Sequence, residues 1–310
     1  MSDVLTGTAA RRLTTIGIDL GGTKIEGCIV DDDGQVRLRR RVPTERQRGY
    51  EHIVERTAAL IADLRREAPE AAAVGVGTPG ALSEDGRLKN SNTTCLIGRP
   101  LRADLAARVT LPLLFENDAN CFALAEARAG AGRGHAFVFG VILGTGTGAG
   151  LVYRGELWRG AQRIAGEWGH HGIDPEGPAC YCGRRGCTEM FLSGPAIERA
   201  YVAAGGEQVG ASEVVARARR EDARAAEVFT RYLDRFGRAL ANVINILDPS
   251  VVVLGGGLSN IEELYDRGRA AVERYVFNDR LETRIVRHAL GDSAGVIGAA
   301  WLARLLAPPR

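Results

Sequence analysis

Charge of one sign is what this chain most clearly lacks: 40 Lys and Arg stand against 38 Asp and Glu, for a formal net charge of +2. The arginines between positions 37 and 48 and between 217 and 224 are mixed with Glu, Asp and Gln. No basic stripe forms, which argues against nucleic acid as the main partner. Long apolar runs are missing as well. No segment approaches the roughly 18 apolar residues that a bilayer span needs, and residues 1–12 contain no apolar stretch suited to a signal peptide. A soluble, cytoplasmic protein with no membrane partner is the expectation. No low-complexity linker interrupts the 310 residues, which suffice for two domains with separate cores, so a hinge is expected between halves and not a tether. Of six cysteines, Cys28, Cys95 and Cys121 are scattered and read as packing residues.

Glycine, in contrast, is abundant, and it clusters where apolar runs end. Asp19-Leu20-Gly21-Gly22-Thr23-Lys24 follows Thr15-Ile16-Gly17-Ile18, and Gly144-Thr145-Gly146-Thr147-Gly148-Ala149-Gly150 follows Phe137 to Leu143. Glycines at a strand end let backbone N–H groups face an anion without Cβ obstruction, and threonine hydroxyls add donors, so both loops read as phosphate cradles. Each runs on into a second strand, a turn (Asp31 to Gly34; Arg154-Gly155) and a third strand. The chain therefore looks internally duplicated. The Walker pattern is absent, and Gly144-x-Gly146-x-x-Ala149 leads into a strand where a dinucleotide motif requires a helix.

Between and beyond the loops the pattern is α/β. Ile53, Thr57, Leu60, Ile61 and Leu64 share a helical face, Ala73 to Gly77 reads as a strand ending in Thr78-Pro79-Gly80, and Leu113 to Phe115 delivers Glu116-Asn117-Asp118 to a helix over about 119–128. Ligands collect at such carboxyl strand ends. A long helix carries Leu233, Phe236, Leu240, Ile244 and Leu247 and stops at Asp248-Pro249. A strand then ends in Gly255-Gly256-Gly257 before a helix expected from about Asn260; this turn reads as a cradle for a ribose or base edge, or as an ordinary strand-to-helix turn. Residues 295–302 form a small-residue stretch read as a closely packed terminal helix.

Three constellations carry chemistry. Asp118 has the position of a general base taking a proton from a hydroxyl that attacks a γ-phosphate, or of a helix N-cap. Asp19 would repel nucleotide unless a cation intervened, and magnesium resolves that conflict. Cys180, Cys182 and Cys187 with His170 match a closed structural zinc site, with His171 as competing ligand and a redox or merely buried cluster as the alternative. Glu167 and Glu189 flank that loop, either as acceptors for sugar hydroxyls or as solvated surface groups.

Taken in order, Asp19-x-Gly21-Gly22-Thr23-Lys24, Gly77-Thr78-Pro79-Gly80, Glu116-Asn117-Asp118-Ala119-Asn120, Gly144-Thr145-Gly146-x-Gly148, Ala165-Gly166-Glu167-x-Gly169-His170, Cys180-x-Cys182-Gly183-x-x-Gly186-Cys187-x-Glu189 and Asp248-Pro249-x-x-Val252-x-Leu254-Gly255-Gly256-Gly257 resemble the ROK family of sugar kinases from about Ile16 to Leu302. The resemblance implies an actin-like ATPase (ribonuclease H-like) fold with an interlobe cleft, one lobe from 1–118 plus about 290–310 and the other from 119–289. It implies ATP, magnesium and a hexose, with Asp118 as the base. It places zinc on His170, Cys180, Cys182 and Cys187, and makes Gly80, Asn92, Asn117, Glu167, His170 and Glu189 sugar contacts. Gly21 to Lys24, Gly144 to Gly148 and Gly255 to Gly257 become nucleotide contacts. His170 is then shared between zinc and a sugar hydroxyl.

Lys89 to Thr94, Cys180-Tyr181-Cys182-Gly183 and Val243-x-Asn245-Ile246-Leu247-Asp248-Pro249 look most like the fructokinase (mannofructokinase) branch. N-acetylglucosamine kinases and glucokinases share the main motifs. The resemblance also makes a homodimer plausible. Two other classes remain for comparison: sugar-responsive ROK repressors, which carry a DNA-binding domain ahead of the first glycine loop where this sequence has only a short stretch, and actin-like ATPases without a small-molecule acceptor.

Overall fold

The computed structural model describes residues 13–31, 33–89, 91 and 93–306. The described residues up to Cys121, with those from Ser293 onward, make one compact unit, and Phe122–Asp292 make another. In the first, β1 (Thr15–Leu20), β2 (Lys24–Val30) and β3 (Val36–Pro43) form an antiparallel meander. Strand β4 (Val74–Thr78) pairs parallel to β1, and β7 (Leu113–Asn117) parallel to β4, giving the order β3-β2-β1-β4-β7. A small hairpin, β5 (Ala81–Leu82) and β6 (Leu88–Lys89), and a short helix α2 (Leu101–Ala106) lie between β4 and β7 in sequence.

Burial explains the sequence patterns. Strands β1 and β4 are nearly continuous apolar runs because both faces are covered. Strand β3 sits at the sheet edge and carries four arginines there, a charge load that discourages pairing with another edge. Helix α1 (Tyr50–Glu67) buries Ile53, Thr57, Leu60, Ile61 and Leu64, as the spacing requires.

Helix α9 (Ala294–Ala303) lies in backbone contact with β1 and β4. A Cβ at Gly17 would stand 2.1 Å from the Val296 carbonyl oxygen, one at Gly75 1.8 Å from that of Ala299, and one at Gly298 1.7 Å from that of Cys121. The small residues of the terminal stretch are thus a packing requirement.

The second unit repeats the sheet. Strands β8 (Phe137–Leu143), β9 (Thr147–Tyr153) and β10 (Glu156–Leu157) form the meander, and β11 (Val251–Gly255) and β12 (Arg284–Arg287) add in parallel, in the order β10-β9-β8-β11-β12. The helices of this part are α4 (Glu189–Leu192), α5 (Gly194–Ala203), α6 (Ala211–Arg219), α7 (Ala223–Leu247) and α8 (Arg267–Glu273). Asp222 caps α7 by accepting from the Ala225 N–H at 2.9 Å, and Asp248 ends it in the left-handed region at φ 45°.

Two expectations shift. The helix expected from Asn260 begins at Arg267, because the turn after β11 first closes on itself: the Ser259 hydroxyl and the Asn260 side-chain amide donate to the carbonyls of Gly256 and Gly257. Helix α3 (Asp118–Ala129) is not capped at Asp118. Asn117 Oδ1 accepts from the Asn120 N–H at 2.7 Å, so the capping role falls one residue earlier.

Gly75→Ala is expected to lower stability by about 2–3 kcal/mol through overpacking against the Ala299 carbonyl. Gly257→Ala, whose Cβ meets open space, stays within about 0.5 kcal/mol. Denaturant unfolding of the two variants beside the parent checks the contrast.

Candidate functional site

In the first unit, three parallel strands end at the residues singled out in the sequence. Asp19 stands opposite Gly77 in the β1/β4 ladder, and Thr78 opposite Asn117 in the β4/β7 ladder. The carboxyl ends of β1, β4 and β7 therefore bring together Asp19, the Thr78-Pro79-Gly80 turn, Asn117 and Asp118. Gly80, at φ 120°, closes its turn by donating to the Thr78 carbonyl, while the Thr78 hydroxyl bonds the carbonyls of Gly80 and Glu116.

The first glycine loop is pinned from behind. The Thr44 hydroxyl donates to the Gly21 carbonyl at 2.7 Å, and the Thr44 N–H to the Thr23 carbonyl at 2.9 Å. A trans peptide directs its C=O and N–H oppositely, so the Gly22 N–H points away from Thr44. Lys24 pairs with Glu26 at 3.6 Å.

Electrostatics at this end are unfavourable without a cation. Asp19 and Glu26 are direct cross-strand partners, and Glu26 is only 1% exposed. Burial, then the negative charges of Asp118 and Glu26, push the Asp19 carboxyl up to about 7 against the pull of Lys24. Glu26 itself is held by Arg41 at 2.8 and 3.2 Å and by the Ser293 hydroxyl at 2.8 Å. A divalent cation beside Asp19 would reverse the repulsion, which is what the magnesium reading requires.

Asp118 is exposed at the start of α3, with one carboxylate oxygen on the Ala119 N–H at 2.8 Å. Asn117 spends its side-chain oxygen on the cap, which leaves its amide NH₂ as the donor at this turn. Glu116, which the sequence offered only as part of the motif and without a role, accepts from the Asn117 N–H and the Asn120 side chain and braces this turn. Asn92 lies outside the described residues.

In the second unit, β8 and β11 are parallel neighbours, so Gly144 to Gly148 and Gly255 to Gly257 meet at their carboxyl ends. Gly256 (φ 78°) has to be glycine, since a Cβ would lie 2.3 Å from the Leu143 carbonyl. The Gly144 carbonyl accepts from the Gly194 N–H at 2.8 Å, which turns the Thr145 N–H outward just as Thr44 turns that of Gly22. Thr145 is exposed at the loop tip.

The cysteine loop stands beside the root of this second glycine loop. Trp168 is buried edge-on against Phe139 of β8 and donates its indole N–H to the Ala239 carbonyl of α7, which anchors the turn holding Glu167 and His170. The ligand atoms of His170, Cys180, Cys182 and Cys187 lie within 4.8 Å of one another, with Cys182 and Cys187 sulfurs 3.6 Å apart and Cys180 Sγ 3.6 Å from His170 Nδ1. Zn–S bonds of about 2.3 Å put tetrahedral neighbours about 3.8 Å apart, so the donor set and its spacing fit such an ion. His171 is not in the group; its carbonyl accepts from Thr188.

His170 Nε2, the atom expected to face a sugar hydroxyl, is 3.0 Å from the Tyr181 hydroxyl. Tyr181 is 73% exposed as a whole, but partial desolvation of its hydroxyl, then the charge of Glu189 and of the thiols and Glu167 around it, raise that hydroxyl above its ordinary value. Glu167, His170, Tyr181 and Glu189 thus share one neighbourhood. Tyr181 entered the sequence reading only as a mark of resemblance, and its contact with His170 depends on how the loop closes.

The ROK family pattern matches residues 15–305. The N-acetyl-D-glucosamine kinase of Citrobacter koseri is 38% identical over 297 residues, covering 92% of this chain and 98% of that protein. The ROK hexokinase from Thermus thermophilus aligns with a TM-score of 0.86 at 34% identity, covering 94% of this chain and 98% of its own. A ROK family glucokinase from Streptomyces griseus, solved with glucose and AMPPNP, gives a TM-score of 0.79 at 32% identity over 94% of this chain and 99% of that one. With the actin-like fold of these kinases, the duplicated sheets and both glycine loops in place, the chain belongs to the ROK family of sugar kinases.

Proposed function

We propose that this protein transfers the γ-phosphoryl group of ATP to the 6-hydroxyl of a hexose, with N-acetyl-D-glucosamine as the favoured acceptor. The observation that carries the reaction class is the position of Asp118: a carboxylate at the carboxyl end of β7, with the capping of α3 delegated to Asn117. Asp118 accepts the proton of the acceptor hydroxyl as that oxygen attacks phosphorus. The outward N–H groups of Gly22 and Thr145, with the other loop residues Gly21, Thr23, Lys24, Gly144, Gly146 and Gly148, serve the phosphates; Gly255 to Gly257 serve the nucleoside. Magnesium, held by Asp19, neutralises phosphate charge when bound.

Gly80, Asn92, Asn117, Glu167, His170 and Glu189 are the sugar contacts in this reading. Zinc on His170, Cys180, Cys182 and Cys187 fixes the loop that carries three of them. The short-motif likeness to fructokinases favours fructose, but the 38% identity to an N-acetyl-D-glucosamine kinase extends over 92% of the chain and weighs more. Fructose is therefore the second reading.

Comparing kcat/KM for N-acetyl-D-glucosamine, fructose, glucose and mannose in an ADP-release assay separates them. A preference for fructose of about tenfold or more, roughly 1.4 kcal/mol in transition-state binding, would reverse the order. Asp118→Asn is expected to keep AMPPNP binding while kcat falls by at least about a hundredfold; turnover near that of the parent would remove the base assignment. Elemental analysis of purified protein should find one zinc per chain, and Cys187→Ser should lose it. Absence of zinc from fully active parent protein would take the ion out of the scheme.

A further inference from the structure

We propose that Glu189 is a positioning residue for the second glycine loop, so that the side chain read as an acceptor contact also sets the geometry of the phosphate cradle. The inference rests on the reading of that loop as a phosphate site. Glu189 opens α4, two residues after Cys187, and its Oε2 accepts the Thr147 N–H at 2.9 Å. The same oxygen lies 2.8 Å from where a Gly146 Cβ would stand, so the carboxylate reaches the loop only because that residue is glycine. Thr147 is the hinge of the hairpin, paired with Leu143 where β9 begins.

The other side of Thr147 is gripped as well. A Cβ on Gly169 would stand 1.9 Å from the Thr147 carbonyl oxygen, so the turn between Trp168 and His170 packs on this peptide. The Thr147 hydroxyl is buried and has no hydrogen-bond partner among the described residues. The N–H and C=O of one residue at the root of the loop are therefore held by the segments that carry Glu189 and His170.

A carboxylate has two oxygens. With Oε2 on the loop, a sugar hydroxyl donating to the same group restricts its rotation and stiffens the loop root. Acceptor and nucleotide then bind cooperatively, and by linkage the coupling is reciprocal.

Calorimetry on the full chain reads this directly. In the parent, N-acetyl-D-glucosamine is expected to tighten AMPPNP binding by about fivefold or more. Glu189→Ala should weaken AMPPNP about fivefold without any sugar present and bring the sugar effect to about one, whereas Glu189→Gln keeps an acceptor oxygen and recovers sugar-free AMPPNP affinity. Gly146→Ala, which displaces only the end of the Glu189 side chain, should weaken sugar binding about fivefold in nucleotide-free protein. If Glu189→Ala binds AMPPNP as the parent does, Glu189 is an acceptor contact and nothing more; if Gly146→Ala leaves sugar affinity intact, the carboxylate does not join the loop to the acceptor and the proposed coupling falls. Failure of the parent to bind AMPPNP at all would overturn the phosphate reading, and this inference with it.

Discussion

Backbone contact between α9 and the strands beneath it is the constraint on which the first unit depends. Gly17 and Gly75 leave no side-chain layer between helix and sheet, and Gly298 none between α9 and Cys121 of α3, so α9 lies closer to β1 and β4 than larger residues would permit. The carboxyl ends of those strands, with β7 paired to β4, are where Asp19, Thr78 to Gly80, Asn117 and Asp118 converge. Ser293, just before α9, adds its hydroxyl to the buried Glu26 carboxylate and so links the same helix to the charge arrangement at the first loop.

Burial first, and then the negative charges of Asp118 and Glu26, hold the Asp19 carboxyl up at about 7. Glu26 is held by donors from Arg41, Ser293 and Lys24, and Asp118 accepts from the Ala119 N–H. Crowding three carboxylates at strand ends is a cost to the fold. A cation bound beside Asp19 would offset that cost.

Duplication repeats the loop geometry in the second unit by the same device. Both sheets have one meander followed by two parallel strands, and both glycine loops connect the first two strands of the meander. In each loop the carbonyl of the first glycine is tied back, by the Thr44 hydroxyl or the Gly194 N–H, and the next N–H is turned outward. The donors that hold the loops differ, yet the peptide geometry they enforce is the same.

The sequence by itself determined the alternation of strands and helices, the two glycine loops, the stop of α7 at Asp248 and the grouping of Cys180, Cys182 and Cys187 with a histidine upstream, the choice of His170 over His171 falling to the fold. These follow from local rules: burial periodicity, turn chemistry and short ligand spacing act between residues near each other in the chain. Tertiary structure alone decided that Asn117 and not Asp118 caps α3, that Tyr181 meets His170, that Glu26 lies under Asp19, and that Glu189 binds the loop at Thr147. Except for the cap, each of those depends on strand register or on loops closing over many residues. The cap turned on a choice between adjacent polar side chains that propensity does not separate, since Asn and Asp serve equally well at a helix start.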